Sequence, residues 1–157
     1  MTTPDAAESD WQGPFPATSE LAPHQLPMLA LEELIAWRPG HATARMTVRN
    51  DNSFVQDGQL DAVVTLEYMA QAVATCLGME AYASGGNVRV GMVIACRKMQ
   101  IHRPTLPVGE VLTIKADCVR GSDSISHYDG EVRDAAGDLI AAATMTLVHG
   151  EKPPDQA

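Results

Sequence analysis

The sequence predicts an α+β protein in which an antiparallel sheet wraps around one long central helix. Residues 63–82 lack proline, are rich in Ala, Leu and Met, and precede a Ser-Gly-Gly breaker, which is typical of a helix of about five turns. Alternating or strongly β-prone segments flank this helix, two before it and four after it. Apolar residues cover nearly every helix face, so we expect the helix to be buried on most sides.

Length and composition indicate one ordinary domain. The chain has 157 residues, 45% of them hydrophobic but only 4% aromatic, so aliphatic and methionine side chains must fill the core. Eleven basic against twenty acidic residues give a formal charge of −9, which argues against a nucleic-acid-binding protein. Both ends are polar and contain several prolines. We therefore expect a flexible N-terminal segment at 1–20, a domain at 21–149 and a tail at 150–157.

The cysteines and the N-terminus indicate a cytoplasmic protein. Cys76, Cys96 and Cys118 are odd in number and widely spaced, which favours reduced thiols over a disulfide framework or a zinc site. No basic region followed by an apolar run is visible at the N-terminus, so we predict no signal peptide. Glu67 and Gln71 interrupt the apolar helix, and we do not interpret it as membrane-spanning.

Two strands are predicted before the helix. Residues 29–37 form the first, and residues 41–49 alternate cleanly between apolar and polar as a half-buried second strand. Pro39-Gly40 between them indicates a hairpin. Asp61 is a candidate N-cap for the helix.

The segments after the helix predict an antiparallel meander. The expected strands are residues 88–103, 109–120, 125–134 and 139–149. In the second of these strands, the side chains predicted to face inward are Leu112, Ile114, Ala116 and Cys118. One sheet can hide the helix on three sides only. The fourth side and the sheet edge need cover, which indicates a dimer.

Three polar side chains are candidates for chemistry. Glu67 and Gln71 lie one turn apart on the apolar helix, where a carboxylate is costly unless it is paired, hydrogen-bonded or used. Glu67 could instead cap a loop amide or form an ion pair at the dimer seam. His24 lies between Pro23 and Pro27, which restrict its backbone; it is either a functional imidazole or a surface turn residue.

Two motifs resemble those of a known family. Residues 21–29, Leu-Ala-Pro-His-Gln-Leu-Pro-Met-Leu, are similar to a Leu-Pro-His-x-x-Pro-x-Leu motif, and residues 66–72, Leu-Glu-Tyr-Met-Ala-Gln-Ala, to a Glu-x-Met-Ala-Gln helix motif. Over residues 21–149 the chain resembles the hotdog-fold 3-hydroxyacyl-[acyl carrier protein] dehydratases. It is closest to the divergent dehydratase-like branch encoded in aryl polyene clusters. Common members carry a Gly-His-Phe-Pro-Gly segment with the catalytic histidine before the helix, whereas residues 52–61 here contain no histidine.

The resemblance implies elimination of water from a 3-hydroxyacyl thioester to give a trans-2-enoyl thioester, in fatty acid, polyketide or aryl polyene type biosynthesis. His24 would be the base, and Glu67, which holds its proton more tightly when withdrawn from water, would be the acid. Gln71 would orient Glu67 or the substrate. His102 is the reserve histidine, ahead of His41, His127 and His149.

Substrate and partner sites complete the expectation. Phe54, Gly91 and Met92 are further candidates for substrate binding, with a backbone N–H near Gly91 or at the helix N-terminus holding the thioester oxygen. Met92 would line an acyl tunnel together with two helix methionines, Met69 and Met79. The alternative is that all three methionines are ordinary core residues. Carrier proteins are acidic, so Arg97, Lys98 and Arg103 are candidates for carrier docking; the alternative is a solvated strand edge.

Two rival functions stay open. One is an acyl thioesterase on the same fold, with Glu67 activating water. The other is a non-catalytic acyl-binding or heterodimerising hotdog subunit, which the missing pre-helix histidine favours. The expected assembly is a homodimer, or a heterodimer with another hotdog chain, without metal, redox cofactor, nucleic acid or membrane.

Overall fold

The computed structural model describes residues 9–86 and 90–150, with only the backbone of Val90. A six-stranded antiparallel sheet has the order β1-β2-β7-β8-β9-β5, and a small sheet has the order β3-β4-β6. The strands are β1 Glu33–Arg38, β2 His41–Thr47, β3 Val55–Gln56, β4 Gln59–Asp61, β5 Val90–Ile101, β6 Thr105–Pro107, β7 Val111–Gly121, β8 Ile125–Arg133 and β9 Leu139–Gly150.

The predicted central helix is α2, Thr65–Ser84, preceded by a 3-10 turn at Ala62–Val64. The Asp61 carboxylate accepts a hydrogen bond from the Val63 N–H at 3.0 Å, so Asp61 caps the 3-10 turn that leads into α2. Gly85 ends the helix at φ 75°, a left-handed conformation that favours glycine. The helix therefore begins and ends two residues later than predicted.

The large sheet wraps around α2, as predicted. Met69, Met79 and Cys76 of the helix are completely buried, and the Trp37 indole donates a hydrogen bond to the Cys76 carbonyl oxygen at 3.2 Å. The segment Ala62–Ser84 is long and apolar enough to cross a membrane by length and composition alone. However, 67% of its most apolar window is buried inside the fold, as in the core helix of a soluble protein.

The strand predictions hold in type and differ at their ends. β1 begins at Glu33 rather than at residue 29, because residues 25–29 form a turn in which the Met28 and Leu29 N–H groups donate to the Gln25 carbonyl oxygen. The predicted inward faces are confirmed at 0% exposure for Ala42, Ala44, Met46, Val48, Leu112, Ile114 and Ala116, whereas Cys118 is only partly buried.

β5 is one edge strand of the large sheet, and β1 is the other. Two register shifts, between Val93 and Ala95 and between Cys96 and Lys98, interrupt its alternation. The side chains of Met92 and Ile94 are 51% and 54% exposed. The sequence-based expectation that a sheet edge needs cover therefore stays open at β5, where these side chains are exposed. Residues 88 and 89 of the expected strand lie outside the described residues.

The N-terminal segment differs from the expected flexible lead-in. From Ser9 onward it contacts the core: Trp11 and Phe15 pack against it, and the Trp11 ring meets Tyr82 edge-on with centroids 5.9 Å apart. A short helix, α1 at Thr18–Leu21, then lies against α2. The crossing is close, because a Cβ on Gly78 would stand 1.8 Å from the Leu21 carbonyl oxygen. Residues 9–20 are therefore part of the packed fold.

Candidate active site

His24 is held beside α2 by the segment that leaves α1. The buried hydroxyl of Thr18 donates a hydrogen bond to the Leu31 carbonyl oxygen at 2.7 Å, tying the two ends of this segment together. α1 crosses α2 at Gly78, and this crossing determines where the following loop lies along α2. The loop thereby places His24 opposite the first turns of α2.

His24 and Glu67 face each other within one chain. His24 Nε2 lies 3.5 Å from Glu67 Oε1, and the side chains are 27% and 34% exposed. Both side chains are partly exposed, so a substrate can reach them. The sequence places them far apart, and the fold brings them together.

Gln71 links this pair to the loop. Its side chain is completely buried. The amide oxygen accepts from the Ala30 N–H at 2.9 Å, while the amide nitrogen donates to the Met28 carbonyl oxygen at 2.7 Å and to Glu67 Oε1 at 3.0 Å. Both amide hydrogens are used in these contacts. Of the two roles expected for Gln71, the contacts support orientation of Glu67.

A cleft of about 340 Å³ contains the pair. His24, Glu67, Gly91 and Met92 line it together with apolar side chains, namely Ala70, Ala74, Leu77, Val93 and Leu147. A second, more apolar groove of about 320 Å³ shares Glu67 and contains Phe54. Glu67 thus stands where two cavities meet, and Phe54, Gly91 and Met92 lie around it.

Other predicted residues lie elsewhere. His102 is exposed and lines none of the cavities described here. Arg103 forms ion pairs with Glu110 and, at 3.4 Å, with Asp134, and the hydrogen bond with Glu110 raises the pKa of Arg103. Its charge is therefore neutralised locally. Met69 and Met79 are core residues, which leaves Met92 as the cleft residue of the predicted methionine set.

Arg97 and Lys98 keep their charges available. Among the described residues, no ion pair involves either side chain, and both are exposed on β5. Lys98 shares a shallow groove on the outer sheet face with Asp129 and Glu131. The expected patch of three free cations is thus reduced to two.

The segment before α2 is hydrogen-bonded to the helix. The Asn52 amide donates a hydrogen bond to the Tyr68 hydroxyl at 2.8 Å, and Tyr68 is 1% exposed. Burial raises the pKa of Tyr68, so its hydroxyl stays protonated. The contact anchors the pre-helix segment to α2 and keeps Phe54 beside the apolar groove.

Another cavity lies at the other end of α2. This polar cavity of about 470 Å³ is lined by Glu80, Cys118, Ser126, Tyr128 and His149, among others. Ser126 Oγ and His149 Nε2 are 2.7 Å apart and buried. Burial raises the pKa of the Tyr128 phenol far above its usual range. These residues come from distant segments of the sequence, and no sequence motif predicted the cavity.

Within residues 9–86 and 90–150, no group of three or more His, Cys, Asp or Glu side chains could hold a metal ion.

Comparisons with known proteins identify a family. Residues 16–156 match the family model described as ApeP-like, ApeP dehydratase. A curated 3-hydroxyacyl-[acyl-carrier-protein] dehydratase, FabZ of Natranaerobius thermophilus, is 30% identical over 139 residues, which are 85% of this chain and 94% of the relative.

Solved structures share the fold. The dehydratase heterocomplex ApeI:P from Xenorhabdus doucetiae superposes with a TM-score of 0.82 at 24% identity, covering 88% of this chain and 93% of that one. A hypothetical thioesterase with coenzyme A from Streptococcus pneumoniae gives a TM-score of 0.61 at 18% identity, covering 76% and 86%. The shared architecture is the hotdog fold.

Proposed function

Because the chain belongs to the ApeP-like dehydratase family, we propose that it removes water from 3-hydroxyacyl thioesters of acyl carrier protein and forms trans-2-enoyl thioesters. The 30%-identical relative is named for this activity on carrier-protein substrates. An aryl polyene, fatty acid or polyketide type pathway would supply the substrate.

One observation carries the proposal: His24 and Glu67 face each other across 3.5 Å in a single cleft. Dehydration requires that a proton leave C2 and that another reach the departing hydroxyl. Among the described residues, these two side chains are the titratable groups that line the cleft. An imidazole and a carboxyl group at this separation can serve both positions of one substrate.

The cavities around Glu67 suit an acyl thioester. We place the acyl chain along Ala70, Ala74 and Leu77, which follow Glu67 at helical spacing on the face of α2 that lines the cleft. The groove beside Phe54 would take the other arm of the substrate, because it also reaches Glu67. Met92 would contact the chain opposite α2.

Carrier docking is proposed at Arg97 and Lys98. Both are exposed cations on β5, the strand whose first residues line the cleft. Arg103 fits this role less well, because Glu110 and Asp134 already pair with it. Charge reversal of Lys98 should raise KM for a carrier-protein thioester but leave KM for the same acyl group on a small pantetheine thiol unchanged.

We propose that β5 pairs with a second hotdog chain in the cytoplasm. Its edge exposes Met92 and Ile94, and its outer backbone groups have no strand partner among the described residues. A homodimer and a heterodimer both satisfy this edge. The similar structure from Xenorhabdus doucetiae is described as a heterocomplex, so each arrangement should be tested.

The test follows enoyl formation from a 3-hydroxyacyl carrier-protein thioester by absorbance and mass spectrometry. Glu67→Gln should lower kcat/KM by about 10³-fold or more, since general acid–base groups contribute about 10²–10⁴-fold. Glu80→Gln is the matched control on the same helix: its side chain accepts a hydrogen bond from the Gly40 N–H at 3.0 Å, which a glutamine oxygen can also accept. Wild-type activity in Glu67→Gln would refute the assignment.

The same assay separates the rivals. The thioester-cleaving alternative has support in similar structures described as thioesterases, and it predicts release of free thiol without enoyl product. A non-catalytic subunit would bind acyl thioesters without turnover as a purified homodimer and would gain activity only with a second hotdog chain.

A further inference from the structure

One ring nitrogen of His24 is buried without a hydrogen-bonding partner in the part of the chain that the structure describes. Nδ1 exposes less than 1 Å² of surface, and no donor or acceptor among the described residues reaches it. A water molecule cannot touch an atom that is covered to this extent, and neither can a second chain. Any proton on Nδ1 would therefore be a buried, unpaired N–H.

This burial determines which nitrogen carries the proton. Buried N–H groups without an acceptor are rare in proteins because they lose their hydrogen bond to water without replacement. The neutral imidazole therefore keeps its lone pair on Nδ1 and its proton on Nε2, the nitrogen that faces Glu67. Nε2–H can donate a hydrogen bond, but it cannot accept a proton.

Backbone groups determine how the Gln71 amide is oriented toward Glu67. The Ala30 N–H must meet the oxygen of the Gln71 amide, and the Met28 carbonyl must meet its nitrogen, so the amide cannot be flipped. The second amide hydrogen then points at Glu67 Oε1. Glu67 Oε1 thus faces one N–H donor from Gln71 and another from His24.

Glu67 Oε2 is the oxygen left for substrate. Among the described residues, no hydrogen bond involves it, while the carboxyl group lines both cavities. Glu67 also lies in the first turn of α2, where the helix dipole favours a negative charge. The resting pair is a carboxylate with one oxygen held and the other presented to the cleft.

We infer that Glu67 alone performs both proton transfers, and that His24 acts as a neutral hydrogen-bond donor and not as the base. The inference rests on the proposed dehydratase function and differs from the sequence-based expectation, which made His24 the base and Glu67 the acid. Gln71 is the positioning residue that keeps Glu67 Oε1 occupied.

The steps balance without a further reactant. Oε2 of the carboxylate takes the C2 proton, so the C2–H bond breaks, an O–H bond forms, and the electron pair moves toward the thioester carbonyl. That pair then forms the C2–C3 double bond as the C3–O bond breaks. The departing hydroxyl takes the proton from the Glu67 carboxyl group and leaves as water, which restores the carboxylate. His24 Nε2–H donates a hydrogen bond to the negative charge that develops on the thioester oxygen, and it keeps its proton throughout.

Nitrogen NMR of the enzyme labelled with ¹⁵N in histidine tests the inference on the wild-type protein, and a variant serves only to assign the His24 signals. His24, assigned by comparison with His24→Gln, should show a protonated Nε2 and an unprotonated Nδ1 at neutral pH. The opposite tautomer, or an imidazolium protonated at both nitrogens, would overturn it.

Kinetics supply the second readout. His24→Gln keeps an N–H donor and should retain kcat within about tenfold of wild type. His24→Leu, which removes the donor, should lose about 10²–10³-fold, as for an oxyanion donor, and Glu67→Gln should lose at least about 10³-fold. Equal, large losses in His24→Gln and Glu67→Gln would show that His24 transfers a proton and would overturn the inference. If wild-type enzyme forms no enoyl product, the proposed function fails instead.

Discussion

Gly78 is the residue at which a single methyl group should disturb the site from a distance. It lies in the interior of α2, three turns beyond Glu67, where α1 crosses the helix. A Cβ at this position would stand 1.8 Å from the Leu21 carbonyl oxygen and 2.6 Å from its carbon. Both are backbone atoms, so no side chain can rotate to make room.

Two opposing magnitudes predict the effect of Gly78→Ala. In an exposed helix interior, alanine would stabilise by about 0.8–1.0 kcal/mol relative to glycine. Here α1 must move by more than 1 Å to restore even a 3.0 Å separation, and overpacking of this kind costs about 1–3 kcal/mol. We expect a net destabilisation of up to about 2 kcal/mol.

The displacement should reach His24, because the loop that carries it follows α1 directly. A misplacement of about 1 Å can cost 10²-fold in rate, so kcat/KM for dehydration should fall by about that factor. Gly86→Ala is the control: its Cβ would meet its nearest neighbour at 3.6 Å, an ordinary contact, and both stability and rate should stay near wild type. Urea unfolding and initial rates measure the two effects. A stabilised, fully active Gly78→Ala variant would refute the close crossing.

Three further predictions concern buried groups and surface charge. Gln71→Met should destabilise the protein by about 2–5 kcal/mol in urea unfolding, because it leaves the Ala30 N–H and the Met28 carbonyl unpaired. Thr75 is equally buried on the same helix, and Thr75→Val should cost under about 1 kcal/mol. Similar losses of stability in the two variants would contradict this prediction. Burial raises the pKa of the Cys76 thiol from about 9 to about 12, so above pH 9 the unfolded chain releases a proton that the folded chain retains. This thiol should therefore lower the free energy of unfolding by about 1.4 kcal/mol for each pH unit as the pH rises. In Cys76→Ala, the free energy of unfolding measured in urea should depend less on pH between about pH 9 and 11 than it does in wild type. The same pH dependence in both proteins would contradict the prediction. Charge reversal at Lys98 should raise KM only for carrier-linked substrate in steady-state assays, and an equal rise with pantetheine substrate would exclude a docking role.

The central helix and the main strands could be predicted from sequence because their patterns are local. The helix has a continuous run of good helix formers with a capping Asp61 before it and Gly85 after it. The strands of the large sheet alternate over many residues. In contrast, β3 and β4 have only two and three residues, which is too short for any periodicity to reveal them.

The site was predictable only where a motif linked distant residues. Resemblance paired His24 with Glu67, but nothing in either segment states that α1 crosses α2 at Gly78 and brings them together. The sequence left Gln71 with two roles, because the partners of its amide lie in a loop whose path is tertiary. Arg103 looked free for the same reason: Glu110 and Asp134 reach it only in the folded chain.

The most direct test is a crystal structure of the enzyme with a 3-hydroxyacyl pantetheine analogue that carries an amide in place of the thioester. C2 of the analogue should lie about 3–3.5 Å from the Glu67 carboxylate, a near-attack distance, with the acyl chain between Ala74 and Met92. An analogue bound instead in the polar cavity beside Ser126 and His149, or with C2 out of reach of Glu67, would contradict the assignment of this cleft as the active site.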